Sequence, residues 1–528
     1  MVALCGALIA VSALLAAEVR RTATVPLWSV VVVFVVSLML SQWVRRKRRR
    51  VVRNPPDYLE SLFLTSGAFT LTLRMLCQGL LCLGMVGSGK TTGVIAFFLG
   101  RLLRLGCGGL VVCPKADDAP RWLKLAARSG RSSDVFVIDA SAKHRLNFFR
   151  SVLRCSGDPA TKAMIGAAAW DLFSQVASRS NAQGGGEDGK FWQESYTRCV
   201  RSILLLLLLA DVEPTPTAIL EVMQAIPKAR QVAKPGWANS EWWQNSPLLG
   251  LLQKAYRNAV ANDWLSDFRA VKDYLTVEQP NLSSKTRSVI EAMVSGVADT
   301  LTKGLAAKLL ATDSTFDLGE AMAANKLVVV DLPVGEWLEV AKFVGAAVVF
   351  LAQTEALKRE VKPDTKPWPI VVDEAQEYLT EHWFKYVSLS RSSRCPMVLA
   401  SQGYESFAAL FSGSEGQRKV ETLMGNLGTT IVACPTYETA DWLSRRLGQE
   451  KRVMFSGSQQ QDAYQSPLDL WGGAGSATAS FSEQYHARRR ADEIQQLLPP
   501  GGPPHWTVRT IVVRGAWHTL IDFNQEVM

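Results

Sequence analysis

The chain has 528 residues, 48% of them hydrophobic and 20% charged, which excludes a disordered chain and leaves material for roughly two or three domains. Its formal charge of +10 and sequence pI near 9.1 favour an acidic partner such as nucleic acid or an anionic membrane, although residues 45–53, "RRKRRRVVR", supply seven of the positive charges. The nine cysteines form no CxxC pair and none has zinc-ligand spacing to a histidine, so they read as reduced, mostly buried thiols rather than a disulfide framework.

Residues 1–17, "MVALCGALIAVSALLAA", and 27–44, "LWSVVVVFVVSLMLSQWV", carry no charge. At about 1.5 Å per residue each is close to one bilayer core in length, which predicts two membrane helices. The intervening "EVRRTATVP" is long enough only for a tight external hairpin, and the first stretch lacks the basic n-region of a cleaved signal peptide. Arg20 and Arg21 face seven basic residues after the second span, so both the N-terminus and the main body should be cytoplasmic. Trp28 and Trp43 fall near the ends of that span, where indole rings favour the interface. Residues 1–50 are therefore read as a membrane anchor, and "RRKRRR" as its stop-transfer flank rather than a nucleic-acid patch.

Short continuous apolar runs follow: "LLCL" at 80, "GLVVC" at 109, "VFVID" at 135, "KLVVVDL" at 326, "PIVVDE" at 369, "MVLAS" at 397, "TTIVAC" at 429 and "RTIVV" at 509. Runs without alternation suit parallel strands covered on both faces. Helical patterns at 94–105 and 340–358 lie between them, predicting an α/β doubly wound sheet. No strand-like run occurs from 155 to 305, where turn breaks such as "VEPTPT" separate helical patterns and "ILLLLLLA" reads as a buried helix segment. The predicted division is 51–154 and 306–528 for the two parts of a nucleotide-binding domain, with 155–305 an all-helical insertion. Residues 456–482, containing "WGGAGSATAS", read as a flexible loop.

The chemistry begins at Gly84–Met85–Val86–Gly87–Ser88–Gly89–Lys90–Thr91, which fits G-x-x-x-x-G-K-[ST], follows a strand and opens a helix. The glycines let backbone N–H groups, continuing through Thr92, face phosphate oxygens. Lys90 then reaches the β- and γ-phosphates and the Thr91 hydroxyl can ligate Mg²⁺. A P-loop needs an acidic element, and "PWPIVVDEAQEYL" supplies a strand ending in Asp373 for the metal and Glu374 as general base. The strand "CPMVLASQ" ends at Gln402, an amide placed to sense the γ-phosphate. Just before it lie Arg391, a candidate arginine finger for a neighbouring subunit, and Arg394 as the fallback. This spacing predicts a RecA-like P-loop ATPase core using ATP and Mg²⁺.

At these residues the chain resembles the type IV secretion coupling proteins, the membrane-anchored ATPases of bacterial conjugation. The resemblance extends through "VVCPKADD", where Cys113 and Ala116 stand in place of two residues of the family's Asp-Pro-Lys-Gly segment. It continues in "RLNFF" at 145–149, similar to the family's Asn-Pro-Leu region without the proline, in "GKFWQESYTRCVRSILLLLL", and in "LMGNLGTTIVACPTYETADWLSRRLG" at 423–448. It implies a homohexamer in the bacterial inner membrane, coupling ATP hydrolysis to export of a relaxase-bound single DNA strand with the inner-membrane components of the secretion system. Two alternatives remain: another motor, a double-strand DNA translocase of the chromosome-segregation kind with the same Walker pair, and, from a different class, a protein-secretion receptor that binds effector proteins through the same architecture. A P-loop scaffold without turnover is disfavoured by Glu374.

Overall fold

The computed structural model describes residues 58–66, 69–179, 187–411, 413–460, 476–504 and 506–525. The expected membrane helices and their basic flank lie outside the described residues; among the described residues no helix is long and apolar enough to cross a membrane. The chain divides into two units. The smaller runs to Leu64 and includes Thr70–Leu73, and it holds most of the short strands β1 (Leu62–Ser66) and β2 (Phe69–Thr72).

The larger unit is built on a nine-stranded sheet. Its strands are β3 (Leu80–Leu83), β4 (Gly109–Cys113), β5 (Val135–Asp139), β6 (Leu327–Asp331), β7 (Ile370–Val372), β8 (Met397–Ser401), β9 (Thr429–Ala433), β12 (Thr507–Arg514) and β13 (Trp517–Asn524), in the spatial order β13-β12-β9-β3-β8-β7-β4-β6-β5. The seven from β9 to β5 are parallel, whereas β12 runs antiparallel to β9 and pairs with β13. All eight expected strands are present. Every residue of β3, β4, β8 and β9 is buried, which is why these runs are continuously apolar instead of alternating. Each fully buried Leu or Val among them contributes about 1.5–3 kcal/mol relative to an exposed one.

Helices cover the faces, among them α1 (Ala96–Arg104), α2 (Asp118–Arg128), α3 (Pro159–Arg179), α4 (Glu187–Leu209), α5 (Val334–Lys358) and α6 (Glu381–Ser393). Among the described residues, every regular element from Phe148 to Ala323 is a helix. The leucine run lies at the end of α4, with Ile203, Leu204, Leu206, Leu207 and Leu209 all buried. Phe173 of α3 stacks on Phe343 of α5 at 5.5 Å, joining the helical region to a helix of the sheet layer through one apolar core. The eight described cysteines are free, and all but Cys155 are buried.

The structure corrects the reading of 456–482 as loop throughout. Strands β10 (Gln449–Gln460) and β11 (Ser476–Ala487) pair as an antiparallel ribbon from Gln449↔Ala487 to Gln460↔Ser476. Ser, Gly, Gln and Ala dominate the outer part of that ribbon, so sequence propensity carried no strand signal there.

Candidate nucleotide site

The sheet order places the chemistry. Strand β3, which feeds the P-loop, lies between β8 and β9, and β7 lies one strand further on, beyond β8. Because all four are parallel, their C-terminal ends open on one edge, where open α/β sheets bind ligands. The strand leading to Gln402 thus runs between the P-loop strand and the strand carrying Asp373 and Glu374.

The loop after β3 is tied to both neighbours. Gly84 N–H donates to Ser401 O at 3.1 Å and Met85 N–H to Cys434 O at 3.1 Å. A Cβ at Gly84 would sit 2.3 Å from Ala433 O, so only glycine allows this approach of backbone to backbone. Gly89 has φ 82°, and a Cβ there would meet Val508 Cγ2 at 2.3 Å. A π-helical turn, Lys90–Ile95, leads into α1 and directs its first N–H groups towards the loop. The Ser88 hydroxyl is buried with no protein partner, an unsatisfied group inside a cradle shaped for phosphate oxygens.

Opposite, Thr91 Oγ1 donates to Asp373 Oδ2 at 2.6 Å, across 282 residues of sequence. Lys90, almost wholly buried, brings its Nζ to 3.5 Å from Glu374 Oε1. Glu374 adopts left-handed φ 44°, ψ 52°, a conformation that costs a non-glycine residue energy and that persists where the surroundings fix it. Its N–H donates to Asp373 Oδ1 at 2.9 Å. The predicted metal pair, Thr91 and Asp373, and the predicted phosphate and water pair, Lys90 and Glu374, therefore meet at one point. This donor set and the unsatisfied Ser88 fit a magnesium nucleotide.

Three groups at the site had no place in the sequence reading. Lys115 Nζ lies 3.2 Å from Glu374 Oε1; Gln376 Nε2 donates to Glu374 Oε2 at 2.9 Å; and Ser401 Oγ donates to Gln376 Oε1 at 2.7 Å. Lys115 belongs to "VVCPKADD" and Gln376 to "DEAQEYL", so both were visible as letters, but only the sheet order makes them neighbours. Burial alone would raise the Glu374 carboxyl, yet Lys90, Gln376 and Lys115 outweigh it and hold the group below the usual glutamate range. Burial also pushes Asp118, on the first turn of α2, up to about 6, aided by the negative charge of Asp373 and opposed by Arg121. At the P-loop's other end Gln525 Nε2 donates to Thr92 Oγ1 at 2.9 Å.

Gln402 follows β8, half-buried, and has no side-chain partner among the described residues. Arg391 is exposed on α6, ahead of the start of β8, and so lies at the sheet edge away from its own P-loop. It has no hydrogen bond or ion pair among the described residues. The fallback Arg394 is committed elsewhere: its Nη1 donates to the carbonyls of Pro363 at 3.0 Å and Thr365 at 2.6 Å.

Residues 367–499 match the family described as the TraM recognition site of TraD and TraG. The fold matches the bacterial conjugative coupling protein TrwBdeltaN70 in its unbound monoclinic form with a TM-score of 0.55 and 13% identity, over 91% of this chain and 92% of that one. The chain resembles a type IV secretion coupling protein. Two further likenesses are the plasmid coupling protein TrwB in complex with ADP and Mg²⁺ (TM-score 0.53, 13% identity, 91% of each chain) and with the non-hydrolysable ATP analogue ADPNP (TM-score 0.53, 12% identity, 91% and 92%). No curated protein matches in sequence. The mixed α/β fold with its large parallel sheet is therefore shared with TrwB, and the family match begins at Pro367, just ahead of β7 and the Asp373–Glu374 pair.

Proposed function

We propose that this chain is a membrane-anchored hexameric ATPase that couples ATP hydrolysis to the recruitment and translocation of a relaxase-bound single DNA strand through a type IV secretion system. The observation that carries the reading is the convergence of Thr91 with Asp373 and of Lys90 with Glu374, four residues from two distant motifs, on the binding edge of the sheet. The TrwB complexes with ADP and Mg²⁺ and with ADPNP support nucleotide and metal binding at such a site.

In this reading the backbone from Gly84 to Thr92 cradles the phosphates and Lys90 leaves Glu374 for the β- and γ-phosphates. Thr91 and Asp373 would hold Mg²⁺, which would supply positive charge against the nucleotide's phosphates. Glu374 accepts the proton of the attacking water and Gln402 reports the γ-phosphate. Arg391, at the edge remote from its own P-loop, serves the neighbouring subunit. Residues 1–50 anchor the chain in the bacterial inner membrane and bring it to the inner-membrane components of the secretion system, while 155–305 form an inserted helical domain between the two parts of the motor. The TraM recognition family over 367–499 supports docking of relaxosome components on the motor's second half.

The deciding experiment is the ATPase rate of the full-length chain with and without single-stranded DNA. Stimulation by single strands supports DNA as cargo; hydrolysis that ignores DNA but responds to a candidate effector protein would move the reading to a protein-secretion receptor, and stimulation by duplex alone to a double-strand translocase.

A further inference from the structure

Glu374 is buried, and a buried carboxylate needs compensation at each oxygen. Oε1 faces two ammonium groups, Lys90 at 3.5 Å and Lys115 at 3.2 Å, while Oε2 accepts from Gln376 at 2.9 Å. The two lysines are not equivalent. Lys90 is almost completely enclosed by the P-loop, whereas the Lys115 side chain is 44% exposed and comes from the turn after β4, the strand beside β7. Lys115 stays firmly charged: burial works against it, but Asp373 and Glu374 raise its pKa on balance.

Nucleotide binding calls Lys90 to the phosphates, and Glu374 then loses one of its two cations at the step that needs the carboxylate held still. Lys115 stands on the turn after β4, outside the phosphate-binding loop, and can stay with the carboxylate. A carboxylate offers about four acceptor positions, so Lys115 and Gln376 together leave room for a water. We propose that Lys115 is a positioning residue that takes over from Lys90 as the cation of Glu374 when nucleotide binds. With Gln376, itself held by Ser401 at the end of β8, it keeps the carboxylate aimed at the water beside the γ-phosphate. Anchoring through Ser401 ties that aim to the strand that carries Gln402. The inference rests on the ATPase reading above.

The test uses the full-length chain and four variants, Lys115→Ala, Lys115→Arg, Glu374→Gln and Lys115→Ala combined with Glu374→Gln. Steady-state ATP hydrolysis gives kcat and KM, and titration with a fluorescent ADP gives nucleotide affinity. Lys115→Ala should lower kcat by about 10- to 100-fold, the scale of a misaimed catalytic group, with ADP affinity nearly unchanged. Lys115→Arg should recover most of the loss, and Lys115→Ala should add nothing to Glu374→Gln. Without nucleotide, the fall in Tm of the double variant should be smaller than the sum of the falls in Lys115→Ala and Glu374→Gln, because the two single changes break the same contact. An unchanged or raised kcat in Lys115→Ala, or additive falls in Tm, would overturn the proposal while leaving the ATPase reading intact. A wild-type chain that binds ATP and never hydrolyses it overturns that reading, and this proposal with it.

Discussion

The two edges of the parallel sheet spend their cations differently. At the C-terminal edge Lys90 and Lys115 face the Glu374 carboxylate, and the Thr91 hydroxyl faces Asp373. At the N-terminal edge three arginines cap loop carbonyls. Arg131 donates to Cys107 O at 2.8 Å and Asn325 O at 2.6 Å, Arg394 to Pro363 O and Thr365 O, and Arg514 to Gly428 O at 3.2 Å. The planar guanidinium suits this second task because its fork satisfies two fixed acceptors at once, whereas an ammonium on a flexible stem can exchange one oxygen for another. One edge is thus poised to trade its internal partners for a ligand, and the other is closed. Arg391 is the exception at the closed edge. It is exposed, and it adds to the lowering of the pKa of the like-charged Arg514, whose first cause is burial.

The contrast is broken most severely at the open edge. Glu374→Gln should keep nucleotide binding and lower kcat by up to about 10⁴-fold, since only the proton acceptor is lost. Lys90→Ala should instead weaken nucleotide binding itself. Single-turnover hydrolysis alongside equilibrium binding separates the two, and wild-type turnover in Glu374→Gln would remove Glu374 from the catalytic role.

Arg391 tests the exception. If it completes a neighbour's site, Arg391→Ala should bind nucleotide normally and lose roughly 10³-fold in hydrolysis. Mixing Arg391→Ala with Glu374→Gln subunits should restore partial activity, because some sites in a mixed ring pair an intact glutamate with an intact neighbouring arginine. A mixture that stays inactive although both variants assemble would mean that Arg391 acts on nothing in trans.

Much of the open edge was legible as letters. A P-loop and an apolar strand ending in Asp-Glu each announce their chemistry locally, and the strands themselves were visible as unbroken apolar runs because both faces are covered. What joins Lys115 and Gln376 to Glu374 is sheet order, which puts β4 next to β7 although 256 residues lie between Cys113 and Ile370, and no local pattern encodes that. The closed edge was illegible for the same reason. Arg394 reads like Arg391 in "SLSRSSRC", and only the left-handed backbone of Arg394, φ 55°, turns its side chain back to the 363–365 loop. Strands β10 and β13 were missed for want of apolar continuity; β13 is an edge strand with Trp517, Leu520, Asp522 and Asn524 exposed.

A smaller effect is expected where an arginine only caps. Arg394→Met removes two charge-assisted hydrogen bonds, one to the exposed Pro363 carbonyl and one to the part-buried Thr365 carbonyl, and should cost about 0.5–1.5 kcal/mol of stability, seen as a lower urea midpoint, with hydrolysis per folded molecule unchanged. A stable Arg394→Met protein that has lost hydrolysis would show that the fallback arginine, and not Arg391, reaches the neighbouring site.

The smallest effect concerns Asp134, a carboxylate at the closed edge. It accepts from Lys326 Nζ at 2.7 Å and from Arg131 Nε at 2.9 Å, beside the carbonyls that Arg131 caps. The hydrogen bond from Lys326 is the main cause holding its carboxyl below the ordinary aspartate value, burial opposes it slightly, and Arg131 adds to the lowering. The pair is partly solvated, so its worth is that of a surface ion pair, under about 1 kcal/mol. The sign follows from the lowered pKa: the folded chain binds this proton less readily than the unfolded one, so the stabilisation is complete above the ordinary aspartate value of 3.8 and disappears as pH falls through the folded value. Asp134→Asn should therefore be slightly less stable than the wild type by the same amount at pH 7 and pH 5, and the two urea midpoints should approach each other towards pH 3. A gap that stays constant down to pH 3 would mean that Asp134 contributes through packing of the turn, and that the closed edge holds no titrating contact of its own at this position.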